Sequence, residues 1–150
     1  MMVKLHNSIL VIITTLFLMT LLAGCNSKNN TKSTYSIKQF ENAMKDKGYT
    51  FEIKDVKQDF LPTTRKRMII DKEAIDIYIF SNDKSMEDEA NHIVDGGNYN
   101  DGYKSVKVSW GSFPHFYKKG SLIVQYIGED EKIISDLKDI LGEQFAGYIP

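Results

Sequence analysis

The chain has 150 residues, with 19 basic and 20 acidic side chains, a formal net charge of −1 and one cysteine. That length suits one domain, and one cysteine excludes an intrachain disulfide. The near-balanced charge offers no polycationic footprint for nucleic acid.

Residues 1–7 carry a single positive charge, Lys4, and residues 9–22 are apolar except for Thr14, Thr15 and Thr20. A charged start before a short apolar run is the pattern of a secretory signal. The 14-residue run is short against the roughly 20 apolar residues of a membrane span. It ends in Leu22-Ala23-Gly24-Cys25, and Cys25 is the lone cysteine. This arrangement resembles the lipobox of bacterial lipoproteins. The resemblance implies that Cys25 receives a diacylglycerol on its thiol, that cleavage leaves it as the first residue, and that palmitate is among the acyl chains of the anchor. Two chains hold a membrane stably where one does so only marginally. The location implied is the extracytoplasmic face of the cell membrane. The alternatives are a free buried cysteine behind an ordinary signal, and an uncleaved anchor helix.

Residues 1–24 are thus read as a lipoprotein signal peptide, 25–34 as a flexible tether and 35–150 as a single domain. Without Lys4, the mature part has 18 basic and 20 acidic side chains, a charge of −2. Its 126 residues suffice for a core without disulfides or metals. They are too few for the two lobes of a transport receptor. Asn26 to Thr34 contains no apolar residue and cannot fold alone.

Ser36 to Lys47 reads as a helix. Ser36 and Gln39 match a capping box, and Ile37, Phe40, Ala43 and Met44 share a face. Tyr49, Phe51 and Ile53 then alternate with polar residues, as in a half-buried strand. A loop holding Pro62 precedes two extended runs, Arg65–Ile70 and Ala74–Phe80, joined by a turn at Asp71-Lys72-Glu73. A helix follows from Ser81, with Met86, Ala90, Ile93 and Val94 as its core positions and Gly96 as its stop. Residues 95–102 form a polar loop of turn formers. Its oxygens invite a calcium reading, but the EF-hand spacing is absent because Gly97 and Tyr99 fall where ligands belong. Val106, Val108 and Trp110 alternate as a strand. Phe113–Lys118 and Leu122–Ile127 are extended around a turn at Lys119-Gly120. Asp130 caps a last helix with core residues Ile133, Ile134, Leu137, Ile140 and Leu141, and Gly142 ends it. Phe145 to Pro150 is a short apolar tail.

Residues 67–93 align with 114–140 at an offset of 47, strand on strand and helix on helix. The expected fold class is α+β: one antiparallel sheet with helices on one face, built from two similar ββα units preceded by a helix and a strand.

Chemistry-bearing residues are few. His92 and His115 lack metal-ligand neighbours at helical or strand spacing, and no His-Glu-x-x-His occurs. No serine lies in a Gly-x-Ser-x-Gly turn. The reading is a non-enzyme, with no cofactor and no metal. Two stretches stand out as a candidate binding surface. Arg65 and Arg67 share a strand face and can grip phosphate or carboxylate; the alternative is a charged edge strand guarded against aggregation. Trp110, Phe113, His115, Phe116 and Tyr117 form an aromatic segment that is either core or recognition surface.

Thr64-Arg65-Lys66-Arg67, Ser109-Trp110, Pro114-His115-Phe116-Tyr117-Lys118-Lys119-Gly120 and Phe145-Ala146-Gly147-Tyr148 resemble a family of small, uncharacterised lipoproteins of Gram-positive, spore-forming bacteria. The resemblance implies an envelope location and no known activity. The expected function is a membrane-anchored binding or interaction module, its partner an envelope protein or wall polymer, with no nucleic acid. An envelope enzyme or enzyme inhibitor is the alternative, and a pocket holding His115 with a carboxylate would favour it.

Overall fold

The computed structural model describes residues 34–148. Cys25, the leader and all of the expected tether except Thr34 lie outside the described residues. The fold is α+β, as expected, around a six-stranded antiparallel sheet. No helix among the described residues is long and apolar enough to cross a membrane.

Helix α1 spans Ile37–Asp46 and buries Phe40 and Met44. Its start is held where expected: the Ser36 N–H donates to Gln39 Oε1 at 2.9 Å, satisfying a donor that the helix cannot. Strand β1 is Glu52–Val56, later than the alternation from Tyr49 suggests. Tyr49 is drawn instead to the last helix, where its hydroxyl donates to Asp136 at 2.8 Å.

Two hairpins form the centre of the sheet. Strands β2 (Thr64–Ile70) and β3 (Glu73–Ile79) make the first, and β7 (Pro114–Lys119) and β8 (Leu122–Ile127) the second. Each has a two-residue turn whose first residue takes positive φ, Asp71 at 51° and Gly120 at 57°. Aspartate tolerates this left-handed region better than most side chains. These turn residues stand 49 apart, not 47. The hairpins meet antiparallel through β3 and β8, with Asp76 opposite Gln125, also 49 apart. A local two-fold therefore relates the hairpins about that pair. The apolar pattern alone misses this by two residues, because a shift of two keeps every strand side chain on its face.

The helices break this two-fold. Helix α3 (Glu131–Leu141) packs Ile133, Leu137, Ile140 and Leu141 with Phe40 and Met44 of α1 against Met68, Ile75, Ile77, Val124 and Tyr126. Helix α2 (Asp83–Ala90) packs Met86 and Ala90 against Tyr78, Ile123 and Phe116. Tyr78 and Ile77 are adjacent on one strand and point to opposite faces. The helices thus cover both faces of the sheet, where the sequence reading put them on one. Helix α1 already shares with α3 the face that a symmetric α2 would occupy.

Helix α2 also stops earlier than its pattern suggests. Ile93–Val94 leave the helix to form β4, which pairs with β5 (Asn98–Asn100), itself paired with β6 (Ser105–Val106), in a second small sheet. Of the strand expected at Val106–Trp110, only its first residue pairs. Side-chain oxygens of the 95–102 loop are turned to nearby backbone N–H groups. Asp101 Oδ1 accepts the N–H groups of Tyr103 and Lys104, at 2.8 and 2.6 Å, and Asn100 Oδ1 accepts that of Gly102.

A charged cluster ties α1 to α3. Asp136 accepts from the Tyr49 hydroxyl at 2.8 Å and from Lys132 Nζ at 2.6 Å, and it pairs with Lys47 Nζ at 3.0 Å. Burial pushes its carboxyl pKa up, but these three donors outweigh burial and hold it down at about 2. The unfolded value is about 3.9. Its contribution to stability is therefore complete above about pH 4 and lost as pH falls through about 2. Asp136→Asn is expected to be less stable than the parent at pH 7. In urea melts that difference should close between about pH 4 and 2; a difference constant with pH rejects the cluster's role.

Candidate functional site

Arg65 and Arg67 do share a face, but β2 lies between β1 and β3 and is no edge strand. Neither the open grip nor the guarded edge describes them. Arg65 is 8% exposed and ion-paired with Asp59. Arg67 makes a bidentate pair with Asp76, Nε to Oδ1 at 2.7 Å and the second nitrogen to Oδ2 at 2.8 Å. The Tyr78 hydroxyl joins them, 3.1 Å from Asp59 Oδ1 and 3.3 Å from Gln125 Oε1. Burial, with Asp76 beside it, pushes the Tyr78 pKa up to about 12. Both arginines thus pair with carboxylates of the same domain, since a buried cation needs an internal partner.

The aromatic segment divides. Phe116 and Tyr117 alternate onto opposite faces of the sheet and are both buried. Trp110 is half-buried, edge-on to Phe60 at 5.5 Å and to Phe116 at 5.9 Å. Its indole N–H donates to the Gly96 carbonyl at 2.9 Å. Gly97, with φ of 75°, lies under both rings; a Cβ there would stand 2.6 Å from Phe116. Trp110 and Tyr117 thus belong to the core and its rim. The basic and aromatic strands do not adjoin either, because β3 and β8 separate β2 from β7.

Phe113 and His115 remain, and they line a cavity of about 270 Å³ with Gly128, Glu129, Ile134, Gln144 and Tyr148. Strand β7 supplies its floor. Strand β9 (Ala146–Gly147) adds to the edge of β7, Gly147 opposite His115, and so carries Tyr148 to Phe113. The two rings stack at 4.0 Å with 22° between planes, and each residue is 40% exposed. His115 is buried, 5% exposed, and takes the core alternative for this segment. Its Nδ1 lies 2.7 Å from Gln144 Oε1 and its Nε2 3.2 Å from the Gly128 carbonyl. The ring thereby joins β7, the segment after β8 and the segment after α3. Glu129 is exposed, and its Oε1 accepts from Ser112 Oγ at 3.1 Å.

Of the residues around this cavity, Glu129, Gln144 and Tyr148 escape a sequence reading of function. The apolar tail and its part in the resemblance hint at Tyr148, and nothing local marks the other two. A larger open cleft, about 440 Å³, is lined by Gln58, Asp59, Phe60, Pro62, Tyr99, Asp101 and Lys104. Its two carboxylates are already engaged, Asp59 by Arg65 and Asp101 by backbone N–H groups. His92 stands edge-on to Tyr99 at 5.6 Å, with Nδ1 3.8 Å from Glu89. Among the described residues, no group of three or more His, Cys, Asp or Glu could hold a metal ion. The chain matches no protein-family profile, no curated protein and no solved structure.

Proposed function

We propose that this chain is a lipid-anchored, extracytoplasmic binding module of the cell envelope, and that it engages its partner through the Phe113–Tyr148 end of the sheet. The binding half rests on one observation, an exposed aromatic stack beside a cavity, placed where β9 pairs with β7. Solvent-exposed aromatic groups held in place are favoured at recognition surfaces. The anchoring half rests on Leu22-Ala23-Gly24-Cys25 behind its apolar run. The pocket does hold His115 near a carboxylate residue, the arrangement that would favour an enzyme. A general base needs a ring nitrogen within reach of substrate, whereas both nitrogens of His115 face protein oxygens. That supports binding over catalysis.

The test is fractionation with pull-down. The parent should label with acyl chains and sediment with membranes, and Cys25→Ala should lose the label. A Phe113→Ala, Tyr148→Ala double variant should keep its label and its circular dichroism but lose co-purifying partners. Persistent labelling of Cys25→Ala overturns the anchor, and an unchanged pull-down overturns the binding face.

A further inference from the structure

Resting on that reading of the site, we propose that the cavity beside Phe113 and Tyr148 takes an alkylammonium group, as borne by a lysine side chain. Gln144 turns its Oε1 to His115 and its amide nitrogen to the Tyr148 carbonyl at 2.6 Å. The Gly128 carbonyl faces His115 Nε2. Glu129 has one oxygen on Ser112, which leaves the lone pairs of its second. The spare acceptor is therefore the second Glu129 oxygen, and the formal charge among the lining residues is that one carboxylate.

The walls are Ile134 and the two stacked rings, which suit methylene groups. Aromatic π-faces attract an ammonium within about 6 Å, and the attraction grows as water is excluded. A volume near 270 Å³ lies just under the roughly 300–1,000 Å³ of drug-sized pockets. It admits the end of a lysine side chain with room to spare. The N-terminus of α3, whose positive pole would oppose a cation, is already met by carboxylates. Asp130 accepts the Ile133 N–H at 3.0 Å, and Glu131 stands in the first turn.

The full chain in detergent micelles is titrated with Nα-acetyl-lysine-methylamide and, in parallel, with its uncharged norleucine counterpart, while backbone amide resonances are followed. The lysine probe should shift the amides of residues 113, 128, 129 and 148 saturably. The norleucine probe should bind at least about tenfold more weakly, the scale of a hydrogen bond to a charged group. Glu129→Gln keeps the acceptor for Ser112 and removes the charge, so it should weaken the lysine probe by about tenfold with the fold unchanged. Equal binding of the two probes, no binding of either, or unchanged lysine binding by Glu129→Gln overturns the ammonium site. If the pull-down still depends on Phe113 and Tyr148, the binding face stands and only its ligand class fails.

Discussion

Asp76→Ala is expected to destabilise the domain by about 3 kcal/mol, at the lower end of what breaking a buried ion pair costs. Asp76 is buried in β3 and sits between two cations on β2. Its loss strips Arg67 of a bidentate partner and leaves buried Arg65 with Asp59 alone. Arg67 is 37% exposed at its side chain and can turn part of its charge to water, which holds the effect below the upper end. The attraction within the network largely offsets the cost of desolvating its members, so the intact cluster adds little net stability. Removing one member is what costs. Replacing Arg67 and Asp76 together with Met and Leu should therefore destabilise less than Asp76→Ala. Urea melts of the three proteins measure this. A single variant within about 1 kcal/mol of the parent means the arginines find water without help.

Phe116→Ala is expected to cost about 3–5 kcal/mol. The Phe116 ring is the hub of the second core. It lies 5.8 Å from Phe60, 5.9 Å from Trp110 and 6.4 Å from Phe145 between centroids, and its atoms close over Gly97. Truncation leaves a cavity bounded by rigid rings and a glycine backbone, which collapse poorly, so the cavity term adds to the lost transfer energy. Trp110, the only tryptophan, reports the change directly. Its emission should shift to the red as water reaches the indole, with α1 and α3 intact by circular dichroism. A loss under about 1 kcal/mol with unchanged emission shows that the small sheet and its rings repack without Phe116.

Local signals settled much of the architecture. The 3.6-residue spacing of Met86 and Ala90, and of Ile133, Leu137 and Ile140, marked helix faces that are buried. Caps at Ser36, with Gln39, and at Asp130 formed as their spacing requires. Turn residues separated the paired strands. These features depend on neighbours within a few positions, so one strand's sequence contains them.

The rest depended on contacts far apart in the chain. Period-2 alternation names the residues that share a face but not what covers it, so it could not place α2 opposite α1 and α3. It is also blind to a shift of two, which hid the 49-residue spacing of the hairpins. Arg65 and Arg67 look like a free cationic face until Asp76, on the next strand, and Asp59, in the preceding loop, fill them. Ile93 and Val94 fit a helix until pairing with β5 draws them into a sheet. The cavity is the extreme case. Phe113, Glu129 and Tyr148 come from three separate segments, joined because β9 pairs with β7 and His115 bonds to Gln144 and Gly128. No single stretch contains that site, because its walls are made by tertiary pairing rather than by local pattern.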